Sequence, residues 1–323
     1  MKEIKVTDIE NISIGQYENK EAATGCTVFL CKEGMPAGLD VRGGGPASRE
    51  SELLKPVANA SVIHAIVLSG GSSFGLGVAD GVMNRLEEEK IGLDVGVCKV
   101  PLVCQSDLFD LTVGRNDIRP DSSYGRIATE KALQGGNYKD GNYGAGCGAT
   151  VGKWKGMDFC MKSGIGSYAV QIGELKIGAV VAVNALGDIY HYKNGEKIAG
   201  LLADDKINFE DTVELMIKNT KVVENKFTGN TTIGVIITNA SFDKTKLCKI
   251  ASMAQNGYAR SIKPVHTSAD GDSIYAVSVG EISADYDIVG TVAADVMSEA
   301  ILRAVKNCDS AYGFVALKDL SLS

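Results

Sequence analysis

The glycines constrain this chain more than any other feature. Thirty-eight of its 323 residues are glycine, with only six prolines beside them, against a usual glycine share of ~7%. They are bunched in GGGP (43–46), SGGSSFGLG (69–77) and GNYGAGCGATVG (141–152). Such clusters mark tight turns, close backbone approaches, or loops whose amides face a ligand. Long apolar stretches lie between them, so they punctuate a folded chain and not a disordered Pro/Gly tract. With no internal repeat and no low-complexity linker, residues 1–323 read as one domain.

Composition removes several classes of function. The chain is 45% hydrophobic and 23% charged, with a net charge of -7. That balance gives a globular protein with ample core and no clustered basic surface for nucleic acid. The lysines between Lys244 and Lys249 alternate with apolar residues at helical spacing and read as a solvated helix face. The start, MKEIKVTDIENISIG, is polar and lacks the apolar run of a signal peptide. No stretch reaches the ~18 apolar residues of a membrane span, and a cytoplasmic location is expected. Eight cysteines form no CxxC pair, and the three histidines (His64, His191, His266) stand at no metal-ligand spacing with them. Buried free thiols are expected, with no metal and no cofactor.

Strands are predicted at 62–68, 95–103, 177–184, 232–238 and 313–317. A helix follows SGGSSFGLG to about Lys90. Another spans 244–256, with Leu247, Ile250, Ala251 and Ala254 on one face and Asn256-Gly257 as its stop. A third spans 285–306, where Ile288, Val292, Val296, Ala300 and Ala304 step by four and predict one buried stripe. Strands in the middle bracketed by helices suggest packed sheets covered by helices.

Four places carry candidate chemistry. In GNTTIGVIITNA (229–240) a Gly-Asn turn precedes two threonines and an apolar strand. The Thr231 hydroxyl there can attack the carbonyl of Asn230; hydrolysis after the N-to-O shift would leave Thr231 as a chain start. Its α-amine, with a pKa near ~8, suits deprotonation of its own hydroxyl. Thr-Thr also opens strands by β-propensity alone. Asp270 and Asp272 flank Gly271, so both carboxylates can serve one site, holding an ammonium or orienting a threonine; a plain turn fits as well. Asn184 ends the strand VVAVNALGDI, where its amide can donate to an oxyanion or simply close a turn. Lys153, in GATVGKW, can set a positive charge beside the reacting carbonyl or stand exposed at a strand end.

Taken together, these segments resemble the L-aminopeptidase/D-esterase family, which includes β-peptidyl aminopeptidases and nylon-oligomer hydrolases. The resemblance runs through GGGPASRESELLKP (43–56), HAIVLSGGSSFGLGVADGVM (64–83), FDLTVGRNDIRPD (109–121), GATVGK (148–153), VAVNALGD (181–188), NTTIGV (230–235) and HTSADGD (266–272). It implies an α/β (α+β) fold, a four-layer αββα sandwich. It implies a precursor that cleaves itself between Asn230 and Thr231 into residues 1–230 and 231–323. By the same resemblance Thr231 is the nucleophile, Asp270 and Asp272 the acidic pair, Lys153 the active-site lysine and Asn184 the amide supporting the oxyanion. Peptide or small amide substrates and a homo-oligomer, a tetramer of the cleaved unit, are implied as well. Some relatives carry a tyrosine where this chain has Phe109 or its neighbours. Phe109 cannot donate a hydrogen bond, so substrate preference does not carry over. In this reading Ser72, Ser73 and Phe109 contact substrate, the first two through free amides at a helix N-terminus.

Two other readings compete. Gly71-Ser72-Ser73-Phe74-Gly75 fits the G-x-S-x-G elbow of a serine esterase, with Ser73 as nucleophile and His191 or His266 as base. The regular strand-helix alternation of that fold is missing. The 69–77 loop could instead cradle a phosphate or nucleotide, although G-x-G-x-x-G is unmatched and no Walker lysine follows.

Overall fold

Leu175–Asn184 and Thr231–Ala240 are apolar on both faces, and strands of that kind must be covered on both sides. The computed structural model, which describes residues 1–219 and 229–320, covers them with a second sheet on one face and two helices on the other. In chain order the principal strands are β1 (Lys2–Ile4), β2 (Ser13–Asn19), β3 (Thr24–Met35), β4 (Ala37–Val41), β5 (Ala47–Arg49) and β6 (Ile63–Ser69). They continue as β7 (Val103–Asp107), β8 (Ile165–Ile172), β9 (Leu175–Asn184), β10 (Thr231–Ala240) and β11 (Ser273–Ile282). The long helices are α1 (Val78–Glu88), α2 (Ser122–Leu133), α3 (Lys244–Ser261) and α4 (Tyr286–Lys306).

One six-stranded sheet has the order β1-β8-β9-β10-β11-β4, and one five-stranded sheet the order β2-β3-β6-β7-β5. Only β10–β11 and β6–β7 run parallel; the other pairs are antiparallel. Three apolar clusters separate the layers. Val28, Val67, Val82 and Ala128 fill the space between the five-stranded sheet and α1/α2. Phe29, Ile66, Ile233 and Tyr275 lie between the sheets. Ile236, Leu247, Ile274 and Met297 lie between the six-stranded sheet and α3/α4. The result is a four-layer αββα sandwich, the architecture expected. Asp121, Asp243 and Asp285 cap α2, α3 and α4 by accepting backbone N–H bonds in the first turn, which satisfies donors that the helix itself leaves unpaired.

Several local expectations need correction. The strand expected at 95–103 is β7, beginning at Val103; its inner residues Gln105, Ser106 and Asp107 are polar and buried, which hid it from an apolar search. Residues 313–317 form no strand, only a bridge between Ala311 and Phe314 before a short 3-10 turn. Gly257 does not stop α3. It sits inside the helix, where a Cβ would come within 2.6 Å of the Ala294 carbonyl oxygen on α4; the glycine serves close helix approach. In α4 the stripe leaves Ile288 57% exposed, and Val289 and Ala293 take its place in the core. A strict step of four drifts around a helix of 3.6 residues per turn.

Candidate active site

Thr231, the first residue of β10, pairs with Asn184, the last of β9. Directly opposed residues on neighbouring strands share a face. That face is the inter-sheet one, which Ile233 and Ala182 enter just below. The site therefore lies at one end of the inter-sheet core. Thr231 Oγ1 donates to the carbonyl of Asn230, the residue before it. The Gly271 N–H points at both groups, 3.2 Å from Thr231 Oγ1 and 3.3 Å from the Asn230 oxygen. Hydroxyl, carbonyl and amide are thus clustered, with Thr231 and Asn230 only 4% and 3% exposed. Glycine is needed at 271 because a Cβ there would stand 2.8 Å from Thr231 Oγ1.

Lys153 is buried, not exposed at a strand end. Its Nζ donates to Asn184 Oδ1 at 2.6 Å, to the Asn184 carbonyl at 3.2 Å and to the Gly229 carbonyl. Burial pulls the ammonium down to about 7, against the opposing charges of Cys160, Asp270 and Asp110. The Asn184 side chain donates to the carbonyls of Phe109 (2.9 Å) and Gly229 (3.0 Å). Its amide therefore serves the carbonyl one residue upstream of the one expected. Phe109 closes the same corner: a Cβ on Gly229 would meet its Cδ1 at 2.7 Å.

The acidic pair is beside Thr231, yet three of its four oxygens are turned to other partners. Asp272 accepts from the Thr232 N–H at 2.8 Å and from His266 N and Nδ1 at 3.0 Å each. Asp270 accepts from Thr267 N (2.8 Å) and Thr267 Oγ1 (2.5 Å). Among the described residues neither carboxylate bonds the Thr231 hydroxyl. The two brace the turn that presents the Gly271 amide, and the GGG loop closes over it, with Gly45 N bonding the Asp270 carbonyl at 2.8 Å. Burial pushes Asp270 up to about 6, with the charge of Asp272 adding to the effect.

The 69–77 loop corrects two expectations. Two of its amides are already engaged: Gly71 N donates to Asp110 Oδ1 at 2.8 Å and Ser72 N to the Leu108 carbonyl at 2.9 Å. That takes two donors from any phosphate cradle and leaves Ser72 without a free amide for substrate. Ser73 is exposed, and no histidine bonds it among the described residues. His64 Nδ1 accepts from Leu102 N, and His266 is held by Asp272. The left-handed residues of the turn are Gly71 (φ 87°) and Ser72 (φ 53°), and not Ser73. The serine-elbow geometry is absent.

Several supporting residues escaped the sequence reading. Asp110 is buried and accepts from Thr24 Oγ1 (2.6 Å) as well as Gly71, fixing the turn beside Phe109; its place in FDLTVGRNDIRPD was the available signal. Lys162 is wholly buried and donates to the carbonyls of Gly146, Ala149 and Ser163. It pairs with Thr150, whose N–H bonds Asn184 Oδ1 at 3.1 Å. Nothing in the pattern MKSGIGS around it distinguishes a buried lysine from an exposed one. Six of the eight cysteines are buried, as expected of thiols in a core.

The two buried lysines give stability a pH dependence. Burial lowers Lys153 to about 7 and Lys162 to about 8, from 10.5 in the unfolded chain. Between those values and 10.5 the unfolded chain binds more protons, so stability rises with pH, by up to ~1.4 kcal/mol per pH unit for each lysine. The melting temperature is expected to climb from about pH 7 to about 9, where buried thiols begin to oppose it. A flat or falling profile would show that both lysines stay charged in the fold.

Residues 5–317 match peptidase family S58. This chain belongs to that family. It is 33% identical to an uncharacterized aminopeptidase of Mycobacterium leprae, over 95% of this chain and 91% of the relative. A 6-aminohexanoate-oligomer endohydrolase of Kocuria sp. is 29% identical, over 93% of this chain and 85% of the relative. Among solved structures, the L-aminopeptidase D-Ala-esterase/amidase from Ochrobactrum anthropi, described as a variant of the Ntn hydrolase fold, superposes with a TM-score of 0.68 at 17% identity, covering 94% of this chain and 86% of that one. A Burkholderia sp. β-aminopeptidase gives 0.64 at 17% identity, covering 99% and 94%. The family makes this protein a hydrolase acting on amide bonds. Among the described residues no helix is long and apolar enough to cross a membrane, and no group of side chains is placed to hold a metal ion.

Proposed function

We propose that this S58 hydrolase cuts itself between Asn230 and Thr231 and then uses Thr231 as an N-terminal nucleophile on peptide or small amide substrates. One observation carries the reading: the Thr231 hydroxyl lies against the Asn230 carbonyl under a shared Gly271 N–H. In the first step Oγ adds to the Asn230 carbonyl carbon, and the Gly271 amide stabilises the developing oxyanion. The C–N bond then breaks and its nitrogen takes a proton, leaving an ester on Oγ. Water hydrolyses the ester to an Asn230 carboxylate and a free Thr231. In turnover the new α-amine accepts the hydroxyl proton, its pKa of ~8 being suited to neutral pH. The substrate acyl group passes through the same ester. Lys153 and Asn184 hold the acyl side in place. Asp270 and Asp272 act as positioning residues through the turn that carries Gly271, which favours a structural role over capture of a substrate amine.

Intact mass and denaturing electrophoresis of protein held at neutral pH test this. Two fragments are expected, residues 1–230 and 231–323, the smaller starting Thr-Thr-Ile. A full-length chain that hydrolyses amides would overturn the proposal.

A further inference from the structure

The Gly229 carbonyl is bound by two side chains beside the scissile bond. Lys153 Nζ and Asn184 Nδ2, the latter at 3.0 Å, both donate to it, and both residues are buried. This carbonyl acylates the nitrogen of Asn230, whose own carbonyl faces Thr231 Oγ1. On the self-cleavage reading, on which this inference rests, the intermediate is an ester of the Asn230 carbonyl on Thr231 Oγ. An acyl-enzyme formed in turnover has the same connectivity at the same oxygen. Gly229 and Asn230 therefore trace the acyl side of a substrate. Asn230 stands for the residue whose carbonyl is attacked, and the Gly229 carbonyl for a group on that residue's nitrogen.

We propose that the site prefers amides whose acyl-side residue is itself N-acylated, so that the enzyme cuts within a chain and not after a free-amine residue. A free amine would remove the acceptor that Lys153 and Asn184 share. Buried donors left unpaired are costly, and a site built around a hydrogen bond rejects the analogue that lacks it. A substrate ammonium also needs carboxylate oxygens, and three of the four in the acidic pair are engaged. Both oxygens of Asp272 are taken by Thr232 and His266, and Asp270 Oδ2 by Thr267. The Asn230 side chain, by contrast, has neither polar atom bonded. The residue at that place has no need to be asparagine, and an alanine probe is suitable.

The test compares three p-nitroanilides on wild-type protein whose small chain has been sequenced. They are N-acetyl-alanine, free-amine alanine, and propionyl, which has neither the ammonium nor the N-acyl carbonyl beyond its scissile one. N-Acetyl-alanine p-nitroanilide is expected to exceed each of the others in kcat/KM by about 10²-fold. Equal or reversed rates from a protein starting at Thr231 would overturn this inference and leave the nucleophile assignment standing. So would turnover of none of the three. A propionyl anilide as good as the N-acetyl one would trace the gain to lost charge alone and overturn it too. A chain that stays whole and inactive would remove both readings together.

Discussion

Thr231→Ala is expected to stay whole at every incubation time and to lose amidase activity by a factor of about 10⁶, the scale seen when a nucleophile is removed. The methyl that replaces the hydroxyethyl group cannot form the ester, and among the described residues no other hydroxyl bonds the Asn230 carbonyl. Thr231→Ser keeps the hydroxyl and should retain both scission and some turnover. Ser73→Ala, on an exposed turn with no histidine bonded to it, should behave as wild type. Gel mobility, intact mass and an anilide assay read all three variants. An active Thr231→Ala chain, or an inactive but folded Ser73→Ala one, would return the serine to consideration.

Gly271→Ala is expected to slow scission and turnover by about 10²–10³, the usual effect of losing one oxyanion donor. The added Cβ would stand 2.8 Å from Thr231 Oγ1 and 3.0 Å from the Gly45 carbonyl oxygen. The turn must then shift, and its N–H with it. Residue 271 is not among the glycines at positive φ, so alanine suits its backbone and the fold should survive. The time course of full-length chain after purification measures the effect, with thermal melting as the control. Scission at the wild-type rate would show that this amide plays no part in the chemistry.

The central strands and the outer helices were legible because their residues face apolar surroundings throughout. Leu175–Asn184, Thr231–Ala240 and the Leu247/Ile250/Ala251/Ala254 face all follow that rule. Reading failed where burial was polar or where glycine served contact and not a turn. β7 buries Gln105 and Asp107 in a bonded network around the 69–77 loop and Ser106 against the Tyr275 hydroxyl of the facing sheet, and Gly257 is a helix residue because Ala294 is so close. At the site, residue types and neighbourhood were readable, but direction was not. The sequence places Asp270 and Asp272 either side of a glycine, yet only the folded turn shows that their oxygens brace His266, Thr267 and Thr232 while the glycine amide faces Thr231. Likewise Asn184 could be assigned to the corner, whereas its choice of the Gly229 carbonyl depends on where β9 ends against β10.

The order of the six-stranded sheet has a consequence for a protein cut as proposed. Strands β10 and β11 are wedged between β9 and β4, so the piece that follows the proposed cut is clasped on both flanks by the piece that precedes it. Severing the backbone at Thr231 leaves the assembled object intact, but it erases the route by which that object was made. Before such a cut, refolding would be a one-chain process; afterwards two strangers would have to find one another and interleave their strands, at a rate set by concentration. Maturation would thus act as a ratchet, with an enzyme that endures once built and, when heated apart in dilute solution, does not come back.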